Sequence, residues 1–403
     1  MDLSYNAEYE AFRQTVIGFL KAHWPVPETA GEGASEWARP KKEAWFRSRA
    51  IEAGYLYRGV PKEFGGAEQT PDILKATIIR DEFSKRRAPM EAPGIGNMML
   101  VPTLLECGTQ EQKERFVPKT LTGEYHWAQG YSEPNAGSDL ASLRTRAELV
   151  EGENGLEWSI TGQKIWSTLA QYAQYMFVLA RTEPDAGKHA GISYLLIDLK
   201  APGVTIRPIK QVTGGKEFCE VFFDDARTPA DWIVGERGEG WKVSKATLAH
   251  ERSSIGGAQT AVGLFEKLLE LAKGVNYQGL PAIEHPVIRD RLVTLEGYVQ
   301  SHLYSSYRQL SMAAAKQNPG RITLMNKLIN TNIGHMVADL AKDLIGDAAL
   351  TMPPVKGRAD GHEKWLNQFF GSLGVAIAGG TSNIQRNIIA ERGFDLPRDD
   401  AQE

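Results

Sequence analysis

The loop at residues 127–139, with the sequence WAQGYSEPNAGSD, carries the residue types that could bind a polar or anionic ligand. Its glycines and its proline disfavour a regular helix or a central strand. Ser132, Ser138 and exposed backbone N–H groups could then hold the ligand through hydrogen bonds. The alternative is an ordinary turn at a domain boundary, because glycine-rich loops are common and few of them contact a ligand.

This loop is one of six distinctive segments. GYSEPNAGSD at 130–139 resembles the signature of the acyl-CoA dehydrogenase family, with Tyr131 at a position where the family prefers an aliphatic residue. The other segments resemble landmarks of the same family and occur in its order and at its spacing: PKEFGG at 61–66, GTQEQK at 108–113, GQKIWST at 162–168, EFCEVFFDD at 217–225 and GTSNIQR at 380–386. The resemblance therefore covers nearly the whole chain, and chance is a poor explanation for it.

The resemblance implies an FAD cofactor. In the family, a Trp that matches Trp166 covers one face of the flavin, and a hydroxyl that matches Thr168 hydrogen bonds near flavin N5. A flat, redox-active ring needs an aromatic wall and directed donors that stabilise the extra charge of its reduced form. Without the family pattern, Trp166 would be interpreted as a core residue with its indole N–H satisfied.

The resemblance also assigns the remaining cofactor contacts. Backbone groups of the signature loop would hold the pyrimidine edge of the flavin, and Ser138 would lie near the pyrophosphate and toward the substrate. The turn at 379–383 resembles the family turn that meets the same FAD from the end of a helical bundle, although by itself it would be interpreted as a helix C-cap. The predicted cofactor residues of the two segments are Gln129, Tyr131, Ser132, Ser138, Thr381 and Asn383.

The catalytic base departs from the best-known family pattern. In many members a Tyr-Glu pair precedes the Gly-Thr-Ser turn, and the Glu removes the α-proton of the acyl thioester. The matching residues here are Ala378 and Gly379, which carry no carboxylate. A subset of the family, including isovaleryl- and long-chain-type enzymes, places the Glu on a helix immediately before an Arg, and Glu251 and Arg252 match that pair. The alternative for Glu251 is a solvated or paired surface carboxylate.

The resemblance thus predicts Glu251 as the base, Arg252 as a residue that positions the substrate, and the N–H of Gly379 as a donor to the thioester carbonyl. Two segments that reach the adenosine half of a neighbouring subunit's FAD in the family are altered here, at 276–281 and 343–349. Either Arg289 or Arg291 substitutes for them, or the cofactor is held differently, or the partner subunit is not identical.

Composition narrows the class of protein. The length of 403 residues predicts two or three domains. With 46 basic and 50 acidic side chains the formal charge is −4, and this near balance predicts that the protein does not bind nucleic acid. Cys107 and Cys219 cannot build a disulfide framework and match no metal-ligand spacing. With no signal segment and no apolar run of the ~20 residues that a membrane span needs, we predict a soluble, cytoplasmic protein.

The periodicity of apolar residues divides the chain into three parts. Helical spacing dominates up to residue 124, which predicts an N-terminal helical domain at 1–124. Strand-like alternation without intervening helices follows, which favours a small antiparallel barrel or sandwich over a Rossmann sheet. The family resemblance implies the barrel, so we predict an antiparallel β-barrel domain at 125–234. Helical spacing returns at 235–403 and predicts a four-helix bundle. Its predicted core stripes include one from Ile255 to Leu269 and one through Leu366, Phe369, Leu373 and Ile377.

These observations together predict the acyl-CoA dehydrogenase fold, an α+β multi-domain protein. The resemblance implies removal of the α-proton of an acyl-CoA thioester, transfer of the β-hydride to FAD, a trans-2-enoyl-CoA product and an electron-transfer flavoprotein as acceptor. A homodimer or homotetramer is expected, with a heteromeric assembly as an alternative. The rival functions are an oxidase of the same fold and a non-catalytic subunit that stabilises a partner.

Overall fold

A computed structural model of the chain describes residues 5–31, 33–152, 155–353 and 361–397, with the side chains of Glu36 and of residues 251–255 outside this description. The described residues form eleven α-helices, one large sheet and one short hairpin. The chain divides into two compact units. The first is Met1–Tyr131, Leu143–Thr205 and Val221–Thr247, and the second is Ser132–Ser142, Ile206–Glu220 and Leu248–Glu403. The three domain boundaries expected from the sequence stay predictions.

The N-terminal part is helical. Its α-helices are α1 (Ala7–His23), α2 (Arg39–Glu52), α3 (Ile73–Lys85), α4 (Val101–Cys107) and α5 (Gln110–Thr122), and a π-helical turn at Gly96–Leu100 leads into α4. Local capping fixes where these helices begin. Asp72 accepts hydrogen bonds from the N–H groups of the first turn of α3, and Thr109 forms a capping box with Gln112 at α5.

The middle part contains the sheet. Its strands are β1 (Trp127–Gly130), β2 (Arg146–Gly152), β3 (Gly155–Thr168), β4 (Tyr175–Arg181), β5 (Ile192–Asp198), β6 (Val204–Pro208), β7 (Phe218–Pro229) and β8 (Ile233–Val234). The order is β6-β7-β3-β2-β4-β5-β8, and β1 pairs with β4 from outside this path. The pairs β2–β3, β4–β5 and β5–β8 are antiparallel, whereas β1 and β2 each meet β4 in parallel.

The C-terminal part is a helical bundle. It comprises α6 (Gly240–Ile255), α7 (Ala258–Gly274), α8 (Pro286–Ala314), α9 (Ile322–Ile345), α10 (Lys364–Ile377) and α11 (Ser382–Ile388). A hairpin of β9 (Asn276–Tyr277) and β10 (Leu280–Pro281) joins α7 to α8. The bundle core is apolar and includes Phe265, Leu292, Leu295, Val337 and Leu340. Helical ends and a sheet-rich middle confirm the fold class predicted from the sequence.

Three details differ from the sequence expectations. The sheet is mixed rather than wholly antiparallel, because β1 and β2 pair with β4 in parallel. The predicted stripe from Ile255 to Leu269 crosses the end of α6 and the start of α7, so it belongs to two helices. On α10, Leu366 is buried, but Leu373 and Ile377 are 48% and 69% exposed. The second half of α10 therefore presents apolar side chains on the surface of this chain. Within the described ranges no helix has the length and apolar character to cross a bilayer.

Candidate active site

The signature loop is projected from one edge of β4. Gly130, the last residue of β1, lies opposite Val178, and Arg146, the first residue of β2, lies opposite Arg181. Residues 131–145, which include the rest of the signature loop, connect β1 to β2. Both ends of this connection therefore lie beside β4, within about 10 Å of each other along that strand. A Cβ on Gly130 would lie 2.7 Å from Sδ of Met176 and 3.1 Å from Cγ2 of Val178, so a side chain there would force these neighbours to shift. The sheet thus fixes both ends of the loop.

Tyr131, at the start of the loop, is anchored in the core of the first unit. Its ring packs edge-on against Phe177 and Tyr194, with centroids 5.9 and 6.3 Å away. Its carbonyl accepts a hydrogen bond from Nζ of Lys164, which is fully buried on β3, at 3.1 Å. Burial raises the pKa of the Tyr194 hydroxyl well above its ordinary value, so the Tyr194 side chain that packs against Tyr131 is uncharged. The packing explains why an aromatic residue occurs at the position where the family prefers an aliphatic one.

The tip of the loop belongs to the second unit. Glu133 and Ala136 exchange backbone hydrogen bonds of 3.0 and 3.1 Å, which closes a tight turn around Pro134 and Asn135. Ser132 is half-buried before this turn, and Ser138 is exposed after it. The loop is therefore folded on itself, with the Ser138 hydroxyl at its surface.

Trp166 breaks the alternation of β3. Regular alternation would put its side chain on the same face as the buried Lys164, yet the indole is 56% exposed and Ser167 is fully buried instead. The cause is a left-handed backbone, with φ of 63° at Trp166. This conformation costs a bulky L-residue about 1–2 kcal/mol and is concentrated at functional sites. An aromatic face is thus directed out of the sheet at a cost in backbone energy.

The hydroxyls that follow Trp166 also fit a ligand site. Oγ of Ser167 is buried and has no hydrogen-bond partner among the described residues. Thr168 is half-buried at the end of β3, and Leu169 again has a left-handed backbone, with φ of 55°. Gln129, the remaining predicted residue of the first unit, is half-buried on β1. An exposed indole next to one buried hydroxyl without a hydrogen-bond partner among the described residues fits the flavin ring that the family resemblance implies.

A second group of predicted residues forms the turn after α10. Gly379 and Gly380 both have left-handed backbones, with φ of 62° and 86°. Oγ1 of Thr381 accepts a hydrogen bond from the N–H of Ile384 at 3.2 Å and so caps α11. Asn383 is exposed, and its side chain accepts from Arg386 at 3.3 Å. The segment is therefore both the end of one helix and the beginning of the next.

Two buried residues that sequence reasoning missed hold this turn. Nζ of Lys327, on α9, donates to the carbonyl of Gly380 at 2.8 Å, and Nε2 of Gln385 donates to the carbonyl of Gly379 at 3.0 Å. Only 4% of Lys327 and 3% of Gln385 are exposed. Lys164, the buried lysine on β3, was missed in the same way. For Lys164 a signal was available, since strand alternation places it on the same face as the buried Trp158 and Ile160.

The predicted base lies on α6. The backbone of this helix is described through Ile255, but the side chains of Glu251 and Arg252 lie outside the described residues. Their roles stay predictions. In the second unit, Arg291 on α8 donates to carboxylates of Asp343 and Asp339 on α9 at 2.7 and 2.9 Å. Arg289 is exposed, and a role for either arginine at the adenosine half of the cofactor stays a prediction.

Comparisons with known proteins agree along the whole chain. Three family models match in succession, the N-terminal, middle and C-terminal domains of acyl-CoA dehydrogenase, over residues 6–124, 128–226 and 238–394. The acyl-CoA dehydrogenase IpdE1 of Mycolicibacterium smegmatis is 41% identical over 92% of each chain. FadE34 of Mycobacterium tuberculosis is 38% identical over 92% of this chain and 48% of its own length.

Solved structures match over the same extent. The ChsE4-ChsE5 complex from Mycobacterium tuberculosis superimposes with a TM-score of 0.74 at 27% identity, covering 99% of this chain and 100% of that one. The Tcur3481-Tcur3483 steroid ACAD gives a TM-score of 0.75 at 26% identity with the same coverage.

Proposed function

Since this chain belongs to the acyl-CoA dehydrogenase family, whose members are FAD-dependent oxidoreductases, we propose that Glu251 removes the α-proton of an acyl-CoA thioester to give a trans-2-enoyl-CoA. FAD, when bound, supplies the acceptor for the β-hydride. The observation that carries the proposal is the match at 41% identity over 92% of the chain to a protein named as an acyl-CoA dehydrogenase. The exposed Trp166 of the first unit and the left-handed turn at 379–381 of the second unit are each compatible with the role that the family resemblance assigns to them.

The turn after α10 would activate the substrate. A weakly acidic α-C–H becomes removable when hydrogen-bond donors that are fixed beforehand stabilise the charge that develops on the thioester oxygen. Within the described chain, the N–H groups of Gly379, Gly380 and Thr381 donate no hydrogen bond. They are available for that oxygen, and we assign the N–H of Gly379 to it. Thr381 and Asn383 would meet the FAD, and Ser138 and Arg252 would hold the substrate.

The absence of a side chain at Gly379 supports Glu251 as the base and a wide pocket. Ala378 and Gly379 replace two bulky side chains beside the thioester, and the base moves to α6. We therefore infer that the acyl group is branched or bulky near the carbonyl. Among relatives, one that is 29% identical over 71% of this chain is named cyclohexane-1-carbonyl-CoA dehydrogenase, from Geobacter metallireducens, and one solved neighbour is described as a steroid ACAD.

A panel of acyl-CoAs tests the proposal. Purified, FAD-loaded protein would be mixed with straight, branched and ring-bearing acyl-CoAs, first with an electron-transfer flavoprotein and then with oxygen as the acceptor. We expect enoyl-CoA product, highest turnover with branched or ring-bearing acyl groups, and slow reaction with oxygen. Fast turnover with oxygen would support the oxidase. Preference for long straight chains would contradict the pocket argument and leave the base unaffected.

An oligomer is the expected working form. Leu373, Val375 and Ile377 are exposed on α10, and Leu350 and Met352, beyond α9, are 86% and 77% exposed. Such apolar surface is typical of subunit interfaces. We propose a homodimer or homotetramer, or a heteromer like the ChsE4-ChsE5 complex. Sedimentation of the flavin-loaded protein should give a species larger than one chain, whereas an active, flavin-loaded monomer would contradict the proposed oligomer.

The domain boundaries at 124 and 234 and a cytoplasmic location stay proposals.

A further inference from the structure

Lys327 occupies a core position of the bundle. Six of the ten buried residues of α9 recur at steps of four and three, and this stripe is Lys327, Thr331, Gly334, Ala338, Ala341 and Ile345. Five of these residues are the small or apolar types expected inside a bundle. A lysine at such a position is costly, because its ammonium group loses contact with water. The presence of Lys327 therefore indicates that its ammonium group has a specific role inside the second unit.

The ammonium group is directed at the end of α10. Nζ of Lys327 donates to the carbonyl of Gly380 at 2.8 Å and lies 3.5 Å from the carbonyl of Ala376, so it holds the backbone on both sides of Gly379. Gln385 holds the carbonyl of Gly379 itself at 3.0 Å. Two carbonyl groups of the turn are thus fixed by two buried side chains, and Lys327 also contacts the last turn of α10.

These contacts determine where the N–H groups of the turn point. In a trans peptide the C=O and the N–H point in opposite directions, and the peptides of this turn are trans. Because the carbonyls of Gly379 and Gly380 face Gln385 and Lys327, the N–H groups of Gly380 and Thr381 face away from them. Successive N–H groups in left-handed turns form concave sites for negative charge. The buried side chains therefore hold the N–H groups of Gly380 and Thr381, the two donors that follow the N–H of Gly379, in one orientation.

The charge of Lys327 also offsets an unfavourable electrostatic field at the C-terminal end of α10. The C-terminal end of a helix carries about half a negative elementary charge, which opposes a developing anion nearby. The turn at 379–381 follows immediately after the C-terminal end of α10. An ammonium group on those carbonyls offsets that charge, and its effect is large because the surroundings are buried.

We propose that Lys327 is a positioning residue for the thioester, which fixes and polarises the turn at 379–381 so that its N–H groups stabilise negative charge on the thioester oxygen. The inference rests on the proposed dehydrogenase function. Lys327 would act through the backbone, and Gln385 would assist it at the neighbouring carbonyl.

The test uses full-length, FAD-loaded protein with three variants. Lys327→Met removes the charge at similar length, and Lys327→Arg keeps a charge in a larger group. Thr331→Val is the matched control, because Thr331 is buried one turn further along α9 and its hydroxyl contacts only the carbonyl of Lys327 among the described hydrogen bonds, at 2.8 Å. The probe is an acyl-CoA analogue with sulfur in place of the β-carbon, which can lose its α-proton but cannot give up a hydride. Its anion is followed by its long-wavelength absorbance against oxidised flavin.

We expect Lys327→Met to lower kcat at least about tenfold with a smaller change in KM, since loss of a direct oxyanion donor costs about 10²- to 10³-fold. The pH midpoint for ionisation of the bound analogue should rise by about one unit, a tenfold weaker stabilisation of the anion. Lys327→Arg should lie between Lys327→Met and wild type, and Thr331→Val should match wild type. A merely structural lysine would lower melting temperature and leave this midpoint unchanged.

Two results would overturn the proposal. One is a folded Lys327→Met protein with kcat and the ionisation midpoint close to wild type. If that variant does not fold, Gln385→Met, which removes the donor to Gly379 while Lys327 stays in place, should raise the midpoint in the same direction, and an unchanged midpoint would refute the inference. Failure of the proposed function is distinguishable, because the wild type itself would then yield no enoyl-CoA with any acyl-CoA.

Discussion

Glu251→Gln is expected to lower kcat about 10²- to 10⁴-fold, because a general base contributes that much to proton transfer and an amide cannot accept the α-proton. The change is nearly isosteric, so the protein should stay folded and yellow with bound FAD. Stopped-flow measurement of flavin reduction by an acyl-CoA would separate this step from reoxidation. Glu266→Gln is the matched control, because it makes the same carboxylate-to-amide change at an exposed position on α7. In this variant the flavin should be reduced at the wild-type rate.

A second change can place a base at the other family position. Adding Gly379→Glu to Glu251→Gln should restore part of the activity on small, straight acyl-CoAs. The recovery should be incomplete, because φ at Gly379 is 62° and a side chain in that left-handed conformation costs about 1–2 kcal/mol. Near wild-type reduction by Glu251→Gln alone would remove Glu251 from the mechanism.

Trp166→Ala is expected to weaken FAD binding by a few kcal/mol, about 10- to 100-fold or more in affinity, because a stacked aromatic face and its buried area are lost. The indole is 56% exposed in this chain, so the stability of the apoprotein should change little. Flavin content after dialysis and the visible flavin spectrum would measure the loss, and the melting temperature of the apoprotein would check stability.

Two aromatic residues serve as controls for Trp166. Tyr172 is 71% exposed six positions later, and Tyr172→Ala should retain FAD if the effect belongs to position 166. Trp158 is 2% exposed on the same strand, and Trp158→Ala should lower apoprotein stability by creating a cavity. Full flavin content and an unchanged spectrum in Trp166→Ala would make Trp166 a structural residue only.

The sequence predicted the order of helices, strands and bundle because that order depends on local periodicity. It missed β1, and residues 127–130 were assigned to the loop. This strand is four residues long and exists through pairing with β4, about fifty positions later, which no local pattern reveals. Gly130 disfavours a strand by its propensity, yet here it is required by the close approach of Met176. Tertiary pairing overrode the local preference.

Side-chain direction was harder to predict than secondary structure. Alternation places Trp166 inside, and only the left-handed φ of 63° turns it outward. Helical spacing likewise placed Leu373 and Ile377 in the core, whereas both are exposed in this chain. Apolar spacing identifies which face of a helix is buried, but it does not identify what buries that face. The covering surface can be a neighbouring helix of the same chain or a partner subunit. Lys164 and Lys327 were missed because a lysine is normally assigned to the surface.

The central claim is that this chain oxidises an acyl-CoA with its own flavin, and an anaerobic titration tests it most directly. FAD-loaded wild-type protein would be titrated with the most active branched or ring-bearing acyl-CoA while the visible flavin band and the mass of the acyl-CoA are recorded. We predict that the band is lost in proportion to added acyl-CoA and that the product is lighter by two hydrogens. An unchanged flavin band, with calorimetry showing that the acyl-CoA is bound, would contradict the account.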